Sequence, residues 1–318
     1  MGQGLGYQQD VRFPVVRSGV GRLRQGTTRV VVPDGFTTTR DGGIVLGQTA
    51  DMANRAAAGN AEIPLAGGMG SGGAVVRVGD TVRRPVRPHT ASVDAFLRHL
   101  EAVGFAGAPR HLGLDEQGRE VLTFIEGDVG IPPFPVWVGS DAVLLGVARL
   151  QRDLHVAAAS FVPPQDAVWD RPNVTDPGPG ALVCHNDLCV ENVVVRNGTV
   201  VAFIDFDFAA PSDRLLDIAI AARHWIPLRD PADIDPELRG VDQIARFLAF
   251  CDEHGLDRSQ REAVAAHVGT FLDRALDSMR TRAESGLEAY VRVWNAGYPE
   301  QNRRSRAWMD AHRTQLVG

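Results

Sequence analysis

The 318-residue sequence contains no lysine, so every one of its 33 basic residues is arginine. This removes whole chemistries at a stroke. A Walker phosphate loop needs its lysine, and Schiff-base or pyridoxal-phosphate catalysis needs a side-chain amine. Cysteine is scarce too, with Cys184, Cys189 and Cys251 the only three, and they form neither a disulfide framework nor a CxxC metal signature. Cys184 and Cys189 flank His185 but read as small buried residues of a strand and turn. No apolar run reaches the roughly eighteen residues of a membrane span, and the N-terminus lacks a signal-peptide pattern, so the expectation is a cytoplasmic protein with no membrane partner. The net charge of -6 leaves no basic face for general nucleic-acid binding.

What is present begins to make sense after residue 60. Residues 1–60 are rich in Gly, Arg and Thr without sustained periodicity, and read as an N-terminal extension. From Ile63 the pattern is strand, glycine loop ("GGMGSGG"), strand, Gly79-Asp80 turn, strand. A helix follows in "TASVDAFLRHLEAVGF", starting near Thr90 or Ser92 and presenting Val93, Phe96, Leu97 and Leu100 on one face. Two further strands turn around Gln117-Gly118. A Pro-rich connector after Asp128 then opens a region whose periodicity is mostly helical. The class is therefore α+β, with a small β-rich unit over 61–128 and a larger helical one over 129–318.

The densest chemistry lies in "LVCHNDLCVENVVVRNGTVVAFIDFDFAAP", residues 182–211. Asn197-Gly198 between two apolar runs is a strong hairpin signal, and a hairpin brings its outer ends, Asn192 and Asp205, together. An amide oxygen beside a carboxylate suits a hard divalent cation such as Mg²⁺, and Asp187 stands on the preceding loop.

"HNDLCVEN" and "IDFD" resemble the catalytic loop and metal-binding segment of the aminoglycoside phosphotransferase family, relatives of the protein kinases. The resemblance implies a two-lobed protein-kinase-like fold and ATP- or GTP-dependent transfer of the γ-phosphate to a hydroxyl of a small molecule, such as an aminoglycoside antibiotic. It makes Asp187 the catalytic residue, Asn192 and Asp205 the Mg²⁺ ligands, and His185, Asp207 and Asp217 supporting residues, with Asp217 bracing the catalytic loop from behind. It places ATP against Gly70, Ser71 and Gly72 of the glycine loop, and against Phe124, Ile125 and Glu126 of the hinge. The family's small-lobe lysine must here be an arginine. Strand alternation lets only one of Arg83 and Arg84 face the cleft, and Arg83 is the expected one; Asp94 or Glu101 is the expected helix acid beside it.

Acids of the helical region, Asp230, Asp233, Asp235, Glu284 and Glu288, are candidates for receiving a cationic acceptor. Two other readings keep the fold. One makes the acceptor a Ser or Thr of a peptide in natural-product biosynthesis. The other is a catalytically weak binding or immunity protein, since sequences of this kind are also grouped with trifolitoxin immunity proteins.

Overall fold

A computed structural model of the chain describes residues 61–65, 75–171, 178 and 180–318. The glycine run with Gly70, Ser71 and Gly72, and the extension over residues 1–60, lie outside the described residues.

The first described elements build one antiparallel sheet in the order β1-β2-β3-β5-β4, from β1 (Ile63–Pro64), β2 (Val76–Val78), β3 (Thr81–Arg84), β4 (His111–Leu114) and β5 (Glu120–Thr123). Turn chemistry sets its connections, with Gly79 and Gly118 at positive φ. Between β3 and β4 runs α1 (Thr90–Ala102), whose Val93, Phe96, Leu97 and Leu100 are all buried, as its stripe requires. Neither Thr90 nor Ser92 caps it. The N-cap is His89, Thr90 Oγ1 accepts from the Arg87 N–H, and Ser92 Oγ accepts from the Val168 N–H.

The larger part opens with α2 (Asp141–Ala158) and two short β pairs. Strand β6 (Leu182–Cys184) joins β9 (Ala210–Ser212), while β7 (Val193–Arg196) and β8 (Thr199–Phe203) form a hairpin. Asn197 and Gly198 both have positive φ, 52° and 76°, the turn conformation that matches strand twist. Helices follow as α3 (Arg214–Trp225), α4 (Gln243–Glu253), α5 (Arg258–Glu284), α6 (Glu288–Asn295) and α7 (Tyr298–Val317). Aspartates start three of them. Asp213 and Asp242 accept from first-turn N–H groups, and Asp257 forms a capping box with Gln260. Among the described residues no helix is long and apolar enough to cross a membrane.

One continuous core joins α1 to the helical part, with Phe96 packed on Phe206 and Phe161 at ring distances of 6.3 and 5.1 Å. The connection between the two parts is held at Asp128, which exchanges two 2.8 Å backbone hydrogen bonds with Val195. Just before it, Gly127 has φ 150°, and a Cβ there would lie 2.5 Å from Val194 Cγ1 and 2.8 Å from the Val195 carbonyl oxygen. Gly127→Ala is therefore expected to cost about 2 kcal/mol or more, since strain and backbone overlap add. Urea unfolding monitored by circular dichroism checks this, and an unchanged midpoint would refute it.

Candidate active site

The loop between β6 and β7 carries His185, Asn186, Asp187 and Asn192, and each is fixed by a different device. His185 is fully buried; its Nε2 lies 3.0 Å from the Ile204 carbonyl and its ring packs on Phe206 at 4.5 Å. It thereby ties the loop to the residue preceding Asp205. Asn186 sits in the left-handed region (φ 61°), a conformation asparagine tolerates better than most residues. Its side chain donates to three carbonyls, of Cys184, Phe208 and Ala210.

Asp217 braces the loop from α3. It is completely buried and accepts three hydrogen bonds: the Asn186 N–H at 2.6 Å, His155 Nε2 at 2.7 Å and Gln151 Nε2 at 2.8 Å. Burial alone would raise its pKa, but His155 and Gln151 hold it below the ordinary carboxylate value. The helix-start aspartate is Asp213, one turn earlier. His155, Cys184 and Asp217 cluster closely enough for a metal, but three donors already occupy the carboxylate.

Asp187 and Asn192 meet directly, Asn192 Nδ2 donating to Asp187 Oδ2 at 3.0 Å and to its carbonyl at 2.8 Å. Burial, with the Asp205 charge second, pushes Asp187 up to about 7. Asp205, at the far end of the hairpin, is also left-handed (φ 61°), and its side chain is about half exposed. The Ile204 N–H donates to the Asn192 carbonyl at 2.9 Å, which keeps the hairpin's two ends together. Since both amide hydrogen bonds leave through Nδ2, Asn192 Oδ1 makes none among the described residues. An amide oxygen and a nearby accessible carboxylate are the hard donors that Mg²⁺ takes, so these residues fit that ion.

Facing them from the sheet is Arg84, and here the expectation of Arg83 is corrected. Arg83 points to the other face, where it pairs with Asp115 at 3.5 Å. Arg84 Nη1 reaches Asp207 at 2.6 Å and Asp205 at 3.4 Å, while its Nε meets Glu120 at 2.5 Å. Alternation allowed either residue; what decides is Glu120, directly opposite Arg84 in the β3–β5 register and fully buried. The partner acid is therefore on a strand, rather than being Asp94 or Glu101 of the helix. Glu101 is instead turned to Arg110 at 3.3 Å.

Asp94 forms a layer behind this pair, 2.7 Å from His111 Nδ1. Burial, then the hydrogen bond to Glu120, raises Asp94 to about 7, while burial lowers His111. A neutral Asp94 donates to Glu120 and leaves that charge to Arg84. Because its folded pKa lies above its unfolded one, the native state holds an extra proton between about pH 4 and 7, and stability falls as pH rises across that window. Asp94→Asn removes this dependence. Melting curves from pH 5 to 8 should show the variant gaining on the wild type as pH rises, whereas parallel curves would refute the assignment.

At the hinge, the Phe124 N–H donates to Asp80 and its ring lies under Arg77, 3.7 Å from the guanidinium carbon. The Glu126 carbonyl accepts two hydrogen bonds from Arg196, and its carboxylate meets Arg77 at 3.3 Å. Ile125 makes no backbone hydrogen bond among the described residues.

The acids expected to attract a cation are largely taken. Arg304 binds Asp233 through two bonds of 2.8 and 2.6 Å, Arg229 lies 3.6 Å from Asp235, Glu288 meets Arg292 at 3.4 Å, and Asp230 accepts from the Ala232 N–H.

Comparison with known proteins gives a consistent picture. Residues 144–254 match the family described as "Phosphotransferase enzyme family" (APH). Over 263 residues the chain is 34% identical to the trifolitoxin immunity protein of Rhizobium leguminosarum bv. trifolii, covering 80% of this chain and 93% of that protein. Among solved structures it resembles a choline/ethanolamine kinase family protein from Mesorhizobium loti, with TM-score 0.53, 17% identity and coverage of 84% of this chain and 98% of the other. An aminoglycoside phosphotransferase from Alicyclobacillus acidocaldarius subsp. acidocaldarius gives TM-score 0.50 and 16% identity, over 81% of this chain and 93% of the other. These likenesses establish the two-lobed α+β kinase-like fold.

Proposed function

We propose a function from the premise that this chain belongs to the APH phosphotransferase enzyme family: it transfers the γ-phosphoryl group of ATP or GTP to a hydroxyl of a small molecule. The observation that carries this reading is the convergence of Asp187, Asn192 and Asp205 at one end of a rigid hairpin, with Arg84 facing them from the sheet.

In that reading Asp187 orients the acceptor hydroxyl and takes its proton as the oxygen bonds to the γ-phosphorus and the bond to the leaving phosphate oxygen breaks. Asn192 and Asp205 would hold Mg²⁺, which would offset charge on the phosphate oxygens. Arg84 stands in for the family's lysine; its guanidinium is anchored through Nε on Glu120 and offers Nη1 to a phosphate oxygen. The backbone of Ile125, between Phe124 and Glu126, meets the adenine edge. Gly70, Ser71 and Gly72 cover the phosphates with backbone N–H groups. His185 and Asp217 keep the loop in register, and Asp207 holds Arg84 at the mouth of the site.

The similarity to a trifolitoxin immunity protein favours a second reading, protection against a toxic peptide by binding it. Nucleotide turnover separates the two. The full chain with MgATP or MgGTP and a panel of hydroxyl acceptors should yield a product heavier by one phosphoryl group, read by mass spectrometry. Turnover no higher than that of Asp187→Asn with every acceptor would favour binding alone.

A further inference from the structure

A second polar pocket lies where the C-terminal end of α3 meets α5 and α7. It has about 40 Å³ of space for a small solute and is lined by Arg223, Arg229, Asp233, Tyr298, Asn302 and Ser305, among others. Its charges do not cancel. Asp233 is held bidentate by Arg304, and Arg229 has a loose partner in Asp235 at 3.6 Å. Arg223 makes neither a hydrogen bond nor an ion pair among the described residues, and its Nε is sealed from solvent without a partner. Burial, then the neighbouring Arg229 charge, lowers its pKa to about 10, which still leaves it cationic at neutral pH.

An uncompensated guanidinium in a partly buried position works against folding, so its presence calls for a ligand of opposite charge. The other polar groups are partly committed. The Asn302 amide donates to the Leu272 carbonyl and the Ser305 hydroxyl to Gln301, whereas the Tyr298 hydroxyl has no partner among the described residues. The donors are thus the unpaired Arg223 guanidinium and Tyr298 phenol, with the Arg229 guanidinium held only loosely by Asp235, an oxyanion-binding set. On the same helix, two residues beyond Arg223, the Trp225 indole N–H donates to the Leu188 carbonyl beside Asp187.

We propose that this pocket binds an oxyanion, and that it receives the carboxylate or equivalent anionic group of a hydroxyl-bearing acceptor. The acceptor is then an acid, not a polycation. Its role as acceptor rests on the phosphotransferase reading; the anion site stands without it.

Two measurements test this on the full chain. In the first, sodium acetate, sulfate and phosphate are compared with chloride at equal ionic strength by thermal unfolding. At least one oxyanion should raise the midpoint above chloride in the wild type and in Arg280→Gln, an exposed control on α5. In Arg223→Gln and Arg229→Gln its apparent affinity should fall roughly tenfold or more. The strongest of the three anions identifies the group. Arg223 has no partner to orphan, so its variant should fold; ¹⁵N spectra of the arginine side chains give a second readout. Equal response to all four salts, or a response unchanged in both variants, would overturn the site.

In the second, hydroxy acids are offered with MgATP beside their amides. Phosphorylation should favour the acid by about tenfold in kcat/KM, and Arg223→Gln should abolish that preference. Amides accepted as well as acids would overturn the assignment of acceptor. No phosphoryl transfer to any compound would count against the phosphotransferase reading, while the salt series still decides the anion site.

Discussion

Asp187→Asn is expected to lower phosphoryl transfer by about 10²–10⁴-fold while leaving the protein at least as stable as the wild type. The two halves have one origin. A partly buried carboxylate near Asp205 is held up to about 7, so its ionised form is disfavoured in the folded state. Asparagine has the same shape, keeps an oxygen to accept from Asn192 Nδ2, and removes the charge repulsion. What it cannot do is take a proton from a hydroxyl. Steady-state kinetics beside thermal unfolding reads both quantities. Unchanged turnover would remove Asp187 from the chemistry, and a sharp loss of stability would make its role structural.

The largest loss of stability is expected at Asp217. Asp217→Ala strands the His155 imidazole, the Gln151 amide and the Asn186 backbone N–H in a place water does not reach. Breaking a buried, multiply bonded charge costs on the order of 3–5 kcal/mol. Asparagine would not repair it, because one of its two polar atoms is a donor turned toward donors. Denaturant titration should show the drop in both variants. Activity should also fall in whatever fraction stays folded, since Asn186 immediately precedes Asp187. A cost below about 1 kcal/mol would mean that water or a rearranged loop satisfies the three donors.

Local signals carried most of what the sequence disclosed. Asn197-Gly198 specified a hairpin through two positive φ values, and the hairpin alone placed Asn192 and Asp205 at adjacent ends. The 3.6-residue stripe of α1 named its four buried apolar positions. By contrast, the choice between Arg83 and Arg84 depended on a strand 36 residues away in sequence, where Glu120 opposes Arg84. A trace of it was visible as an acid opening the otherwise apolar strand "EVLT". Arg223 and Arg229 were hidden for a related reason. Composition shows arginines and aspartates in equal view, and only packing reveals which have found each other. Residues 298–317 lack an apolar stripe, and α7 is instead started by Gly297 at φ 101° with a proline in its first turn, and buried on α5.

Arg84 also makes the two sides of the cleft thermodynamically answerable to one another. Its single positive charge is divided among Glu120, Asp207 and Asp205. An anion that draws the guanidinium toward itself leaves Asp205 and Asp207 uncompensated and more avid for a cation. A cation that takes those carboxylates frees the guanidinium for an anion. Linkage then requires each ligand to tighten the other by the same factor, whichever arrives first.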